Sequence, residues 1–387
     1  MKVGALSALA RQGLIDEVAE AKLVRQAFQR QPELMILSKH YGDDLRKFLS
    51  FLPSIDSQFG AAGGAAVGTI GLEDGDPDVI VIGTGLAGLA AALNVLDRGG
   101  RVTLIEKEHR VGGNSNKASS GVNACAADEP SCALFQEDTT RSAGAAARPH
   151  LIETLVNNSA TAVGWLKERV GVDLSKKAKL GGHGFKRTHR PSSGMVGAEV
   201  IYAIQRAVRS YEATGAVNIL VDTRATELVR DDSGAVVGVK VVTITKQGEN
   251  TTMSLTAPNV VLATGGFASD RRPGSYLEQY RPELMRMPAT AGDFSTGDGV
   301  TLGSSVGAGL VDMDKVQIHP TGWVDPKDPT NPSKVLAGEL MRGVGGILLN
   351  RSGNRYEIVV VCFVSSLCSR PDALSWVCSK TIRHLEK

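Results

Sequence analysis

No apolar run in this 387-residue chain reaches the roughly eighteen residues a helix needs to cross a bilayer. The N-terminus carries Lys2 but no apolar stretch ahead of a small-residue cleavage site, so neither a membrane span nor secretion is expected. Charge of one sign is also lacking: 43 Lys and Arg stand against 41 Asp and Glu, a formal net charge of +2. That balance argues against nucleic acid or a membrane surface as partner and leaves a small molecule. Cysteine is sparse and without pattern. Cys125, Cys132, Cys362, Cys368 and Cys378 show no CxxC pair and no metal-ligand spacing, and their odd number does not suggest a disulfide framework, so no metal and a reducing compartment are expected. Nothing repeats, and no segment is disordered by composition alone. What remains is a chain with length for two domains and an apolar fraction of 42% that suits a globular protein.

The most informative stretch begins at Asp78. Val79 to Ile82 is apolar without alternation, as in a parallel strand covered on both faces, and Gly83-Thr-Gly85-Leu-Ala-Gly88 then opens a helix through Ala91, Leu93 and Leu96. Gly83 allows a tight turn, Gly85 lets the backbone approach a pyrophosphate, and Gly88 lets the helix pack close to the strand. The helix N-terminus would face the phosphates with unpaired N–H groups. The turn Arg98-Gly99-Gly100 leads to a strand over Val102 to Ile105. Glu106 ends it about twenty residues past the loop, where an acid accepts ribose hydroxyls.

After Glu106 comes a long polar, glycine-bearing loop from Lys107 to Asn123, where a nicotinamide dehydrogenase would continue into helix; such a loop can wrap a larger cofactor. A second buried strand from Asn259 ends in Thr264-Gly265-Gly266, glycines suited to another close backbone approach to the nucleotide. Between them, Val217 to Val229 and Val236 to Ile244 alternate around Asp231-Asp-Ser-Gly234, which reads as a β-hairpin. Packing helices are expected over Leu151 to Arg169, with Ile152, Leu155, Val156, Val163 and Leu166 on one face, and over Glu199 to Ala213, with Ile201, Ile204, Val208 and Tyr211. Ahead of all this, helical patterns at 14–29 and 33–52 make a helical segment over 1–58, and a Gly/Ala-rich linker spans 59–76. The βαβ unit, the inserted β-meander and the returning strand look like the FAD-binding fold of the glutathione-reductase type, an α/β architecture.

The chain also resembles the flavoprotein subunits of fumarate reductase and succinate dehydrogenase, and within them the soluble fumarate reductases. Gly112 to Ala124, Gly181 to Arg190, Gln317-Ile-His-Pro-Thr-Gly322 and Glu339 to Asn350 carry the resemblance, which covers about Pro77 to Tyr356. It implies an FAD-binding domain over 77–313 that lacks its C-terminal closure, the start of a capping, catalytic domain over 314–356, and a tail of unrelated pattern over 357–387. By resemblance, Gly113, Asn114, Ser115, Ala225 and Asp298 contact FAD, and Ser119, Ser120 and Gly121 face the flavin ring near N5. Asn114 stands where the membrane-bound branch has the histidine that bonds covalently to FAD, which implies noncovalent FAD here. His319 and Thr321 are implied as substrate-binding residues, His319 as the clamp on a carboxylate of fumarate or succinate. Glu339 and Arg342 are implied to belong to the substrate site and its proton path. His183, Arg187, His189 and Arg190 form a basic cluster placed near flavin and substrate.

The resemblance implies hydride transfer from flavin N5 to fumarate, with electrons from NADH or another donor through a domain or protein not visible in this sequence. It fails after Tyr356: the Asn-Glu pair and the general-acid arginine do not follow, and Arg370 cannot be carried over. A frameshift or truncation, and a poorly soluble, catalytically incompetent product, are therefore expected. Two other readings stay open: another FAD oxidoreductase of the same fold, such as an aspartate oxidase or a ketosteroid dehydrogenase, and a noncatalytic flavin-binding fragment. Cytosol, mitochondrion and peroxisome-like organelle are all compatible with the sequence.

Overall fold

The computed structural model describes residues 76–125, 129–244, 250–319 and 321–338, with 346, 347 and 349. The helical patterns expected before residue 59, the linker up to residue 75, Glu339, Arg342 and the tail lie outside the described residues.

The described chain opens on β1 (Val79–Ile82), α1 (Leu86–Asp97) and β2 (Val102–Ile105), the unit the sequence leads one to expect. β3 (Val122–Asn123), α2 (Glu129–Ala143), α3 (Pro149–Glu168), β4 (Lys176–Ala178), β5 (Thr188–Arg190) and α4 (Val196–Arg209) follow. Then come β6 (Val217–Leu220), β7 (Thr223–Arg230), β8 (Val236–Ile244), β9 (Asn250–Thr256) and β10 (Asn259–Leu262). Short helices α5 (Tyr276–Tyr280) and α6 (Asp298–Ser305) precede a small antiparallel pair, β11 (Gly322–Trp323) and β12 (Val335–Leu336).

A parallel sheet of order β10-β1-β2-β6 forms the middle layer. Val81, Val102 and Leu104 point to one face, where they meet Leu89, Leu93 and Leu96 of α1 and Val200, Ile201, Ile204 and Val208 of α4. Ile80, Ile82 and Ile105 point to the other, against Ala225, Leu228, Val239 and Val241 of the antiparallel β7-β8-β9 meander and Leu302 of α6. Both faces are covered, which is why β1 and β2 are apolar without alternation. Each Ile or Leu buried in this way stabilises the fold by about 1.5–3 kcal/mol. β10 is an edge strand among the described residues, and its Leu262 is exposed.

Three expectations need correction. The alternating stretch from Val217 to Val229 is two strands in two sheets: β6 pairs with β2, while β7 pairs with β8. The break is at Asp222, whose φ of 52° leaves the extended region. Asp222 N–H donates to Glu108 O at 3.2 Å and Thr223 N–H to Glu106 O at 2.9 Å, fastening the crossover to the end of β2. Alternation is common to both strands, so the pattern alone could not reveal the switch of sheet.

In α3, Ile152, Val156, Val163 and Leu166 are buried as expected, but Leu155 is 54% exposed, so the apolar stripe is narrower than its sequence suggests. Finally, Cys125 and Cys132 are disulfide-bonded, with Cα atoms 4.9 Å apart. The N-terminal turns of α2 return Cys132 to the end of β3, a proximity that the spacing does not announce. The cysteine argument for a reducing compartment falls with it.

Candidate functional site

The glycine loop works by steric exclusion. Gly83 has φ of 100°, and a Cβ there would lie 2.4 Å from Ala263 O, so β1 and β10 together shape the turn. A Cβ on Gly88 would stand 1.8 Å from Gly83 O, which fixes how closely α1 leans on the loop. Gly85 is the N-cap of α1, with no side-chain cap and no acidic residue in the first turn. The positive end of the helix is therefore left open to an anion. Leu86 N–H donates to Ser115 Oγ at 3.1 Å, so the Ser115 hydroxyl serves the loop itself.

Glu106 is buried at the end of β2 and accepts from Thr84 N–H at 3.2 Å, from the Thr84 hydroxyl, and from Glu108 N–H at 2.9 Å. The 3₁₀ turn Gly113–Lys117 comes next. A Cβ on Gly113 would sit 3.7 Å from Gly85 Cα, so this turn lies against the glycine loop. Asn114 has both ends of its amide engaged: Oδ1 accepts Gly292 N–H and Nδ2 donates to Ser295 Oγ, each at 2.8 Å. It pins the 292–296 segment beside the turn. Two buried oxygens in this region, Asn116 Oδ1 and Ser119 Oγ, have no partner among the described residues. Gly121, with φ of 146°, presses on Thr188 and His189 O, where β3 pairs with β5.

Just past the end of β10 comes Thr264-Gly265-Gly266, and Gly265 has φ of 74°. A Cβ on Gly299 would come within 2.0 Å of Thr264 Oγ1, and Gly297 N–H donates to Gly266 O at 3.1 Å, so this turn abuts the start of α6. There Asp298 accepts from Lys107 Nζ and from the Thr296 hydroxyl, each at 2.8 Å, with Arg224 Nη1 at 3.6 Å. Burial pushes its carboxyl up, but the Lys107 and Thr296 hydrogen bonds outweigh that and hold it below the usual range. A cleft of about 440 Å³ lined by Lys107, Lys117, Arg224, Phe294 and Thr296 opens beside it. Ala225 packs its methyl group into the meander core at an irregularity in the β7-β8 ladder.

His319 Nδ1 lies 3.2 Å from Thr321 N and 2.8 Å from Thr321 O. Both contacts fall on one ring nitrogen, which accepts the Thr321 N–H in one tautomer and donates to Thr321 O in the other, and either leaves Nε2 as the nitrogen not engaged by Thr321. The Thr321 hydroxyl donates to Ala337 O at 2.9 Å and so braces the β11-β12 pair. A Cβ on Gly338 would lie 3.0 Å from Ser119 Oγ and 3.4 Å from Ser120 Oγ. The chain that carries His319 thus returns against the Ser119-Ser120-Gly121 loop, directly ahead of Glu339.

The basic cluster is not a set of solvated cations. Arg187 is ion-paired to Asp138, their side chains only 5% and 4% exposed, and its guanidinium lies 4.6 Å from the Phe135 ring centroid and 5.5 Å from that of Phe185. Gly184 N–H also donates to Asp138 Oδ2, at 2.6 Å. His189 is buried beside Arg187 O, and burial holds its pKa below the ordinary value. His183 falls further, to about 4, first through burial and then through the Arg187 charge. A histidine held neutral in the folded chain supports stability fully above about pH 6.5 and loses that support as pH falls through about 4, because the unfolded chain then binds more protons. Replacing His183 with Asn should therefore flatten the fall of Tm between those pH values, as read by thermal melts across that range. An unchanged slope would show that His183 does not titrate as described.

Sequence reasoning missed Thr84, Lys107 and the Asp138–Arg187 pair. Thr84 hides in the variable position of Gly-x-Gly, and the other partners are far apart in the chain.

An uncapped helix end, a glycine cradle with room for backbone approach only, a buried ribose-side acid and two orphaned buried oxygens together fit an FAD. This is the arrangement of an FAD-binding flavoprotein. Residues 78–372 match the family described as FAD binding domain, and the chain belongs to it. More narrowly, it is a member of the fumarate reductase flavoprotein family, with FAD as its cofactor and the FAD-binding fold of that family. It is 39% identical over 288 residues to the fumarate reductase of Schizosaccharomyces pombe, a match covering 72% of this chain and 55% of that one. To fumarate reductase 1 of Saccharomyces cerevisiae it is 38% identical over 312 residues, covering 76% of this chain and 65% of the relative. Among solved structures, the open conformation of a flavocytochrome c3 fumarate reductase superposes with a TM-score of 0.60 at 31% identity, covering 73% of this chain and 48% of that one. The chain thus spans roughly half to two thirds of the length of these three proteins. No group of His, Cys, Asp and Glu among the described residues could hold a metal, and no described helix is long and apolar enough to cross a membrane.

Proposed function

We infer that this chain supplies the flavin site and part of the dicarboxylate site of an enzyme that reduces fumarate to succinate. The observation that carries the reading is the approach of Gly338 to Ser119 and Ser120, which brings the His319 segment to the loop next to the nucleotide site. FAD, when bound and reduced by a separate electron donor, would supply the hydride for one alkene carbon. His319 holds one substrate carboxylate from its Nε2 side, its ring fixed from behind by Thr321 through Nδ1. Holding the dianion at fixed distance and angle is worth more than binding alone, because it removes the entropy of encounter from the barrier. Thr321 acts through its backbone on His319 and through its hydroxyl on Ala337. For Glu339 and Arg342 the proposal is relay of a proton toward the second alkene carbon. FAD is held noncovalently, since Asn114 offers no nucleophile and both ends of its amide are engaged.

The test uses binding, which does not require the complete acid–base machinery. Succinate or fumarate titrated into the FAD-loaded chain should perturb the flavin absorbance, and His319→Ala should weaken that response about tenfold or more, the loss of one charged hydrogen bond. L-aspartate and a steroid enone serve as the comparison ligands. A response to either of these in place of the dicarboxylates, or a His319→Ala variant that binds like the wild type, would overturn the reading.

A further inference from the structure

Thr84 is fully buried in the middle of Gly83-Thr84-Gly85, a position whose side chain the phosphate-binding motif leaves open. Its N–H and its hydroxyl both donate to the same carboxylate oxygen, Glu106 Oε2. Its hydroxyl also accepts Gly112 N–H at 3.3 Å, and its carbonyl oxygen stands 3.0 Å from the same group. A threonine hydroxyl has one proton to give. With that proton on Glu106, only its lone pairs remain for Gly112, so the direction of every bond at this junction is set. Oε1 is held in turn by Glu108 N–H at 2.9 Å. Three protein donors on a carboxylate with about four acceptor positions leave room for a ribose hydroxyl and little freedom to turn toward anything else.

We propose that Thr84 is a positioning residue for the adenosine half of FAD: it presets the Glu106 carboxylate for the ribose and locks it to the start of the Gly113–Lys117 turn. The proposal rests on the assignment of FAD to this site. Valine has nearly the shape of threonine and keeps the backbone bond, but removes the hydroxyl donor from Glu106 Oε2 and an acceptor from Gly112 N–H. Serine keeps both.

The full chain, stripped of flavin, is titrated with FAD while flavin fluorescence is followed, for wild type, T84V, T84A, T84S, E106Q and T84V/E106Q. T84V and T84A should weaken FAD binding about 10- to 100-fold, the range set by one unsatisfied buried acceptor. T84S should stay within about threefold of wild type, since the hydroxyl persists. In the E106Q background, T84V should cost almost nothing further, because the group it acts through is already altered. T84A repeats the test with a smaller side chain should valine overfill the loop. Wild-type affinity in both T84V and T84A overturns the proposal, and so does a double variant whose loss is the full product of the single losses. Failure of the wild-type chain to take up FAD would instead remove the cofactor assignment itself, and this proposal with it.

Discussion

Gly88→Ala should leave a chain that retains no flavin after desalting. By helix propensity alone the change is favourable, since alanine gains about 1 kcal/mol over glycine in a helix interior. Sterics reverse the sign. The new Cβ would stand 1.8 Å from Gly83 O, 3.0 Å from Gly83 C and 3.3 Å from Val81 Cγ1, and the first two of these are backbone atoms of the loop itself. α1 must move away from the loop by more than an ångström, or the turn must open. Either movement displaces the N–H groups that the uncapped helix presents, so the anion site is lost along with its geometry. Gly164, in the C-terminal part of α3, is the control: a Cβ there meets nothing within 4 Å, so Gly164→Ala should keep full flavin occupancy and raise stability by up to about 1 kcal/mol. Flavin absorbance per folded chain, with circular dichroism to establish folding, reads both variants. A yellow Gly88→Ala protein with wild-type stoichiometry would refute the steric account.

The second large effect concerns stability. Asp138→Ala leaves the Arg187 guanidinium buried between two phenyl rings without its carboxylate, and removes the acceptor for Gly184 N–H at the same stroke. Breaking a buried pair from one side costs about 3–5 kcal/mol, because the surviving charge stays desolvated. That loss is a large share of the 5–15 kcal/mol by which a domain is stable. Arg187→Met in the same chain removes the stranded charge, so the double variant should recover much of the loss. Urea unfolding of the two single variants and the double gives the comparison. If Asp138→Ala unfolds within about 1 kcal/mol of wild type, the pair is solvated and its burial has no energetic consequence.

How much of this was legible in the sequence depended on how local each interaction is. β1, the glycine loop, α1, β2 and Glu106 are contiguous, and each follows from apolar run, glycine spacing or position, so the whole unit could be read. α4 was found by its apolar stripe, although it begins and ends a few residues earlier than the pattern suggested. α2 was not expected. Its sequence is polar, and Phe135 is the one large apolar side chain it buries, so the 3.6-residue signal is nearly absent. The split of β6 from β7 rests on one residue with positive φ, and alternation continues through it. Among site residues, the glycines and Glu106 came from motif, while His319, Asn114 and Asp298 came from resemblance. What resemblance did not reveal is which partners those side chains hold: Asn114 bridges to Gly292 and Ser295, and Asp298 to Lys107 and Thr296. All but the local Asp298–Thr296 bond join residues almost two hundred positions apart, and a single sequence has no term for such distances. The Cys125–Cys132 bond stayed hidden for a related reason, since a spacing of seven residues does not say that the first turn of α2 lies beside Cys125.

That bond bears on how the cofactor is received. The strand that follows the Ser119-Ser120-Gly121 loop is stapled at Cys125 to the foot of α2, and Cys125 N–H is further secured by the Ser159 hydroxyl at 3.1 Å. The other end of the same stretch is anchored where Gly112 N–H meets Thr84. A segment tethered at both ends has little conformational entropy left to surrender when a ligand arrives, so more of the contact energy is kept as affinity. The stretch from Gly112 to Cys125 is therefore shaped in advance of any ligand it receives.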